Sequence, residues 1–161
     1  MKHHRHLTRT LVATFTLLLP VALFAADVNV SSGLTGAGGP LAMHGYDPVA
    51  YFVDGAPRRG SAEHSLLWNG AVYRFVTRQN LDRFAVEPER YAPQYGGFCA
   101  YGVSVGKKFD GDPHVFAIVD GKLYLNLNPS IQTIWEEDVA GNIAKAEHQW
   151  PAIHSTPADE L

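Results

Sequence analysis

Two dipeptides, Asn69-Gly70 and Asp120-Gly121, constrain the fold of this chain more than any other feature. Each lies between two β-prone runs: HSLLW and VYRFV surround the first, and VFAIV and KLYLNL surround the second. Asn-Gly and Asp-Gly favour two-residue turns with positive φ at both positions, and such turns join antiparallel strands. The sequence therefore predicts two β-hairpins.

Helix signals follow both hairpins. Thr77 is a predicted N-cap for a helix that bears Leu81 and Phe84 on one face. Asn128 is a predicted N-cap with a proline at the first helical position. Gly141-Asn142 then interrupts the pattern, and IAKAEHQW predicts a last helical segment before the next proline. This order of elements predicts an α+β fold with a small antiparallel sheet packed against a few short helices.

One further strand is expected in VAYFV (49–53), which is β-prone and ends at an Asp-Gly turn. The sequence shows no internal repeat and no long run of charges. At 161 residues the chain fits one domain. We expect a flexible, Gly- and Ser-rich leader at 27–40, a folded domain at 41–152 and a polar tail that frays at 153–161.

Residues 1–26 have the features of an export signal. MKHHRHLTR contains three basic residues and no acid, and an uncharged apolar run with small residues at its end follows it. This run is short for a bilayer, which needs about 20 apolar residues. We expect cleavage after Ala25 or Ala26 and a periplasmic or secreted protein without a membrane span. An uncleaved N-terminal anchor is the main alternative.

Charge and cysteine content exclude several classes of function. The chain has 13 Lys+Arg and 16 Asp+Glu, and three of the bases (Lys2, Arg5 and Arg9) lie in the expected signal. The acidic balance of the remainder opposes binding to nucleic acid or to an anionic membrane surface. A single cysteine excludes an internal disulfide, so the fold depends on its core.

Four stretches occur in one order along the chain: GYDPVAYF (Gly45–Phe52), YRFVTRQNLDRFAVEPERYAPQYGGFCAYGV (Tyr73–Val103), DGKLYLN (Asp120–Asn126) and IAKAEHQWP (Ile143–Pro151). Together they resemble the YHS domain family in its exported single-domain form. The resemblance covers roughly residues 41–152 and implies a YHS-like fold; it is much less specific for function. Metal-handling members of that family carry cysteines in patterns that resemble DPVC and YxFCSxxCxxxF.

This chain has no cysteine at any of those family positions. Ala50 stands in the first pattern, and Val76 and Asn80 stand in the second. Soft metals are bound by thiolates, for which alanine and valine offer no replacement and asparagine only a weak, hard one. The metal site of the cysteine-bearing relatives therefore cannot be carried over.

Cys99, the only cysteine, lies beside the glycine pair in PQYGGFCAYGV. Three interpretations are open. The thiol could be packed as a small hydrophobe, could bind a metal ion together with histidines, or could be a reactive nucleophile with a lowered pKa. The first is favoured, because free cysteine is among the most buried residue types.

A functional site is expected where GYDPVAYF meets YGGFCAYG, since the glycines let the two backbones approach closely. Cys99 and His44 are the candidate metal ligands, and copper and zinc are the candidate ions. Tyr46, Asp47 and Tyr101 are the candidate contacts of a small ligand or cofactor. The structural alternatives are a surface-loop histidine at position 44 and an aspartate at 47 that starts a turn before proline.

Other histidines carry no assigned role: His64 and His114 are expected to be exposed rather than ligating. No nucleophile elbow, phosphate loop, dinucleotide-binding motif or zinc-protease helix is present in the sequence. These observations favour an exported YHS-like domain that binds a small ligand or a transition-metal ion and is not a stand-alone enzyme. The alternatives are a thiol-dependent redox or hydrolytic enzyme that uses Cys99, and a protein-interaction module with an unidentified partner.

Overall fold

The computed structural model describes residues 27–31 and 35–161. The expected signal at 1–26, together with its histidines, lies outside the described residues, as do residues 32–34 of the expected leader. In the described part of the chain, no helix has the length and apolar character needed to cross a membrane.

Six helices and four strands are present in the described chain. The helices are α1 (Ala50–Val53), α2 (Arg78–Val86), α3 (Pro88–Tyr91), α4 (Ala100–Ser104), α5 (Pro129–Glu136) and α6 (Val139–Ile153). The strands are β1 (Ser61–Trp68), β2 (Ala71–Phe75), β3 (Asp112–Val119) and β4 (Lys122–Asn126). Short 3-10 turns lie at Met43–Gly45, Gln94–Gly97 and Ala158–Glu160. The predicted α+β class is confirmed.

Both predicted hairpins are confirmed. β1 pairs with β2 and β3 pairs with β4, each pair antiparallel and each forming its own two-stranded sheet rather than a part of one sheet. The turn residues have positive φ throughout: 48° at Asn69, 77° at Gly70, 50° at Asp120 and 73° at Gly121. These are the values that a two-residue turn between antiparallel strands requires.

Both predicted N-caps are confirmed as well. Thr77 Oγ1 accepts a hydrogen bond from the amide of Asn80 at 3.1 Å, and Asn128 Oδ1 accepts one from the amide of Ile131 at 3.0 Å. Each bond satisfies an amide of the first helical turn that has no partner within the helix.

Two local predictions are wrong. The expected strand at 49–53 is helix α1, because the preceding aspartate caps a helical turn there. The expected break at Gly141-Asn142 lies inside α6, which begins after Asp138, whose Oδ1 accepts a bond from the amide of Gly141 at 2.9 Å. α6 also continues through Pro151, which lies in its last turn and removes a single backbone donor.

The structure contains an internal repeat, contrary to the expectation from the sequence. In the first hairpin Leu66 pairs with Tyr73, and in the second Ala117 pairs with Tyr124; both partners are shifted by 51 residues. The pairing irregularity also recurs at one place, between Ser61 and Ser65 in β1 and between Asp112 and Phe116 in β3. We call residues 43–91 the first half and residues 95–153 the second half.

The same shift of 51 residues relates the caps Thr77 and Asn128, and it relates the buried rings Phe84 of α2 and Trp135 of α5. In both halves a turn with left-handed backbone precedes a short helix, a hairpin and a capped helix. α6 follows the second copy and packs against α4. The repeat is therefore one of backbone geometry and of residue roles, with few identical residues.

Two hydrophobic cores meet at β4. Leu123 and Leu125 pack into the first core with Phe84, whereas Tyr124 points to the opposite face and packs into the second core with Trp135. Alternation of side chains along a strand places successive residues on opposite faces. β4 is thus buried on both faces, although it belongs to a sheet of only two strands.

The segments expected to be a flexible leader and a fraying tail contact the domain at their described residues. Val28 is buried in the first core, and the amide of Asn29 donates to the carbonyl of Gly96 at 2.9 Å. At the other end, Lys108 Nζ donates to the carbonyls of His154 and Thr156, both at 2.6 Å. These described residues of the two segments therefore form part of the packed structure.

Candidate functional site

Asp47 is a fully buried carboxylate that holds two parts of the first half together. Its Oδ1 accepts bonds from the amides of Val49 and Ala50, at 2.8 and 3.3 Å, which starts α1. Its Oδ2 accepts bonds from the amide of Val76 at 2.8 Å and from Asn80 Nδ2 at 2.7 Å. The prediction that Asp47 starts a turn is confirmed. Asp47 was also a candidate ligand contact, but both of its carboxylate oxygens already accept hydrogen bonds from the protein.

This carboxylate gathers the three positions that correspond to cysteines in the patterns DPVC and YxFCSxxCxxxF. Ala50, Val76 and Asn80 come from α1, from the end of β2 and from α2, and each donates a hydrogen bond to Asp47. Positions that are separated by up to 30 residues in the sequence therefore surround one group. In this chain that group is an acceptor for backbone and amide donors.

Cys99 is buried, with 1% of its surface exposed, and it caps α4. The thiol donates to Asn126 Oδ1 at 3.4 Å and accepts from the amide of Gly102 at 3.4 Å. Burial raises the pKa of the thiol above its ordinary value of 9.0, although neighbouring amides, those of Gly102 and Leu127 first, partly oppose this rise. The expected burial of Cys99 as a free thiol is confirmed.

His44 lies in a turn with unusual backbone geometry. Met43, His44 and Gly45 have φ values of 49°, 51° and 81°, so two consecutive residues other than glycine adopt the left-handed conformation. The imidazole Nε2 lies 2.8 Å from Asp110 Oδ1, and Asn29 Nδ2 donates to the same oxygen at 2.7 Å. The His44 side chain is 38% exposed, and the ring is therefore both oriented and accessible.

The two candidate metal ligands are held by different partners. Cys99 bonds to Asn126, whereas His44 bonds to Asp110. The segment that precedes β3 links them, since Phe109 accepts a backbone bond from Cys99 and Asp110 pairs through its backbone with Phe98. Among the described residues, no group of three or more His, Cys, Asp or Glu side chains could hold a metal ion.

Tyr46 and His114 form a second contact, which starts two residues after His44 in the sequence. The Tyr46 hydroxyl is 2.8 Å from His114 Nε2, and the two rings meet edge to face with centroids 5.1 Å apart. The guanidinium of Arg59 lies 5.3 Å from the centroid of the Tyr46 ring. His114 is exposed, as predicted. We call His44, Tyr46, Arg59, Asp110 and His114 the seam cluster, because it joins the first half to the start of the second hairpin.

Tyr101 lies away from the seam cluster. Its amide donates to Asn126 Oδ1 at 3.0 Å, its carbonyl accepts from Ser104 Oγ at 2.7 Å, and its ring packs against the second core. Of the predicted site residues, the structure therefore pairs His44 with Asp110 and Tyr46 with His114, so both contacts join the first turn to the segment around the start of β3. It places Cys99 and Tyr101 around Asn126, and it buries Asp47 in the first half.

Sequence reasoning missed Asp110, Arg59 and Asn126. Asp110 is 66 residues from His44, and Tyr46 is 68 residues from His114, so no local pattern announces either contact. Asn126 ends the quoted DGKLYLN stretch, but its role depends on the approach of α4. The one available signal was the glycines of the two turns, Gly45 and the pair Gly96-Gly97, which mark places where segments distant in sequence meet.

No protein-family model, no curated protein and no solved structure matches this chain.

Proposed function

We propose that this chain is an exported YHS-type domain that binds a small polar ligand at the seam cluster and is not a stand-alone enzyme. The ligand contacts are His44 and His114, with Tyr46 and Arg59 beside them. The family assignment, the export and the ligand site are parts of one proposal, and each has its own support.

The observation that carries the proposal is the strained turn at His44. A residue other than glycine at positive φ costs roughly 1–2 kcal/mol, and two occur in succession here. Strain of this kind persists where the surrounding structure enforces it, and it is concentrated at functional sites. Here it presents an accessible imidazole that Asp110 orients from the second half.

The arrangement around Asp47 supports the YHS-type assignment. The relatives' three thiol positions converge on one point in space, as the residues of a shared site should, although this chain has none of the thiols. A domain of that family in which an aspartate–asparagine contact replaces the metal site explains both the motif resemblance and the missing cysteines.

The seam cluster favours a small polar ligand over a tightly bound metal ion. Tight zinc or copper sites use three or four protein donors, and His44 with Asp110 supplies only two. Thiol chemistry is disfavoured too, because it needs an accessible thiolate, whereas Cys99 is buried and its pKa is raised. A weak transition-metal contact through His44 is the alternative that the experiment must separate.

The test is an NMR titration of the processed protein with inorganic phosphate, acetate and Zn²⁺ in separate series. We expect one probe to shift the ring resonances of His44 and His114 saturably, and His44→Asn to abolish the effect. Asparagine tolerates left-handed backbone, so this variant removes the imidazole without a new backbone penalty. His148→Ala, which alters an exposed histidine on α6, is the matched control.

Phosphate or acetate as the active probe would support the proposal, whereas a response to Zn²⁺ alone would replace it with a metal-binding function. Shifts at His148 equal to those at His44 would mean non-specific binding and would overturn it. Export is tested separately by N-terminal sequencing of the secreted material, which should begin at Ala26 or Asp27. Recovery of only the full-length chain from the cytoplasm would contradict export.

The alternative function, a protein-interaction module, has no comparable support. The exposed large apolar side chains of the described chain are spread over several elements, including Leu67 on β1, Val86 at the end of α2 and Ile118 on β3. We therefore propose no protein partner.

A further inference from the structure

A small pocket lies where four parts of the chain meet, and it shares no lining residue with the seam cluster. Its volume is about 140 Å³. Asp27 comes from the N-terminal segment, Trp68 and Tyr73 from the first hairpin, Gly96 from the turn that begins the second half and Trp150 from α6. The walls therefore depend on the complete fold. We call it the Asp27 pocket.

One oxygen of the acidic group of this pocket has no hydrogen-bond partner among the described residues. Asp27 Oδ1 is buried and accepts no hydrogen bond from any described residue. A buried carboxylate oxygen without a donor is costly, and most such atoms in native proteins are paired with protein groups, water or a ligand. The Lys108 ammonium interacts with Asp27 electrostatically, yet Oδ1 still accepts no hydrogen bond, so the pocket leaves a place for a further donor or cation beside this oxygen.

The backbone holds Asp27 firmly in place. Val28, the next residue, is buried in the first core, and the amide of Asn29 bonds to the carbonyl of Gly96 at 2.9 Å. Gly96 has a φ of 63°, and a Cβ at this position would overlap the carbonyl oxygen of Asp27. The glycine thus permits the close approach that brings the carboxylate to the pocket.

Three of the other lining residues are aromatic, and the rest are Val28, Asn69, Ala92, Pro93 and Gly96. Trp68, Tyr73 and Trp150 line the pocket, and ring faces attract cations, tryptophan most strongly. A cation–π interaction is already present at Trp150. The ammonium of Lys108 lies 5.5 Å from the ring centroid of Trp150 and 5.0 Å from that of Phe98. Burial lowers the pKa of the Lys108 ammonium, and the field of Asp27 partly opposes this lowering, so Asp27 favours positive charge nearby.

We propose that the Asp27 pocket binds a small organic ammonium cation, with the Asp27 carboxylate as counter-ion and Trp68, Tyr73 and Trp150 as the aromatic walls. A volume of about 140 Å³ is well below the roughly 300–1,000 Å³ of pockets for drug-sized ligands, and it suits a headgroup with a few carbon atoms. A quaternary ammonium fits the aromatic walls, and a primary ammonium can in addition donate to Asp27 Oδ1.

Choline and methylammonium are the probes, each as the chloride salt, and sodium acetate is the anionic comparison. Binding to the processed protein is measured by isothermal titration calorimetry and by the fluorescence of Trp68 and Trp150. We expect saturable binding of at least one cation, no binding of acetate, and a loss of affinity of at least tenfold in Asp27→Asn. This variant keeps the shape of the side chain and removes its charge.

Asp82→Asn is the matched control, because Asp82 is exposed and paired with Arg78 on α2, outside the pocket. It should bind as the unaltered protein does. Trp150→Leu is the second variant and should also weaken choline binding while Asp82→Asn does not. Vesicles of phosphatidylcholine, compared with phosphatidylglycerol, distinguish a lipid headgroup from free choline, and binding of either quaternary form supports the proposal.

Three results would overturn it: no binding of either cation at millimolar concentration, equal affinity in Asp27→Asn and the unaltered protein, or binding of acetate in place of the cations. Thermal unfolding of each variant in the absence of probe shows whether the fold is intact. An unfolded Asp27→Asn variant would leave Trp150→Leu to decide the matter.

Discussion

The two halves of the molecule solve one structural problem with different side chains. In each half a residue that follows a left-handed turn caps a short helix and accepts a bond from the chain at the end of a hairpin. In the first half this residue is Asp47, and in the second it is Cys99. Val76 donates to the carboxylate, and the amide of Leu127, 51 residues later, lies against the thiol.

The comparison shows why the lone thiol need not be a reactive group. A carboxylate is a strong acceptor, and Asp47 satisfies four donors, whereas a thiol is a weak one and Cys99 shares its surroundings with Asn126. Cys99 is thus the structural counterpart of Asp47, and its hydrogen bonds contribute less to the free energy of unfolding. The presence of a cysteine beside a glycine pair follows from its capping position.

A second difference lies beneath the two left-handed turns. Leu125 of β4 is fully buried below Gly97, and its equivalent in the first half is Arg74 of β2, whose side chain packs against Gly45. The Nε of Arg74 is buried without a hydrogen-bond partner among the described residues. The second turn is therefore supported by an apolar contact, and the first by the stem of a charged residue. It is the first turn that carries the seam cluster.

The largest expected effect separates the two caps. Asp47→Ala should lower the free energy of unfolding by about 4 kcal/mol, because buried amides and Asn80 lose a charged acceptor. Cys99→Ala should cost only about 1–2 kcal/mol, since it removes two weak bonds. Urea denaturation measures both.

Asp47→Asn, which keeps one acceptor oxygen, should fall between the two caps, and Asp82→Ala at an exposed ion pair should change stability by less than about 1 kcal/mol. Equal losses for Asp47→Ala and Cys99→Ala would show that the caps carry equal weight.

The next effect concerns glycines that occupy equivalent places before the two hairpins. A Cβ at Gly60 would overlap the carbonyl group of Arg74, and a Cβ at Gly111 would overlap the carbonyl oxygen of Gly97. We expect Gly60→Ala and Gly111→Ala each to cost about 3 kcal/mol, because backbone atoms cannot move aside easily. Gly36→Ala, which meets open space, is the control in thermal unfolding. If either substitution left the stability unchanged, Gly60 and Gly111 would not have equivalent roles in the two halves.

The third prediction tests the second cap by pH. Burial raises the pKa of the Cys99 thiol, so the unfolded chain loses the thiol proton at a lower pH than the folded chain. The stabilisation from this group is complete below about pH 9 and is lost as the pH rises further. Cys99→Ser should cost roughly 1–3 kcal/mol at neutral pH and remove this part of the alkaline decline.

Tyr51, Tyr73 and Tyr95 act in the same direction above their ordinary pKa of 10.0, because burial raises the pKa of each. The decline between pH 9 and 10 is therefore the window to measure. An unchanged slope in Cys99→Ser over this window would contradict the protonated, buried thiol.

The smallest effect concerns the hairpin turns. Asn69→Ala and Asp120→Ala should each cost about 1 kcal/mol, because alanine tolerates left-handed backbone less well than asparagine or aspartate. Near-equal losses, measured by urea denaturation, would extend the equivalence of the halves to their turns. A loss at Asn69 several times that at Asp120 would show that the first hairpin is the more strained.

Much of the fold was accessible from the sequence because its signals are local. The Asn-Gly and Asp-Gly turns and the caps Thr77 and Asn128 depend on residues no more than four positions apart, and all were predicted correctly. Helix α1 was missed because β-branched and aromatic residues favour a strand there, and Asp47 overrides that preference by capping a helical turn.

The repeat and the seam cluster were not accessible for a different reason. The halves share turns, caps and buried rings while using different residues for each, such as Phe84 and Trp135. The contact between His44 and Asp110 depends on how the halves pack, which no local pattern encodes. The burial of Cys99 was correctly predicted from residue statistics, but its role as a cap required the geometry of α4.

The placement of β4 between the two cores has a consequence for the order of folding. The first core takes Leu123 and Leu125 from a strand that lies some thirty residues beyond the end of α3, so the first half cannot bury its apolar face alone. A repeat protein usually gains stability one unit at a time. In this chain, by contrast, the second hairpin has to be in place before either core is complete, because β4 contributes side chains to both. Synthesis that stops at residue 110 should therefore yield a protease-sensitive fragment, and the complete chain should unfold in a single transition.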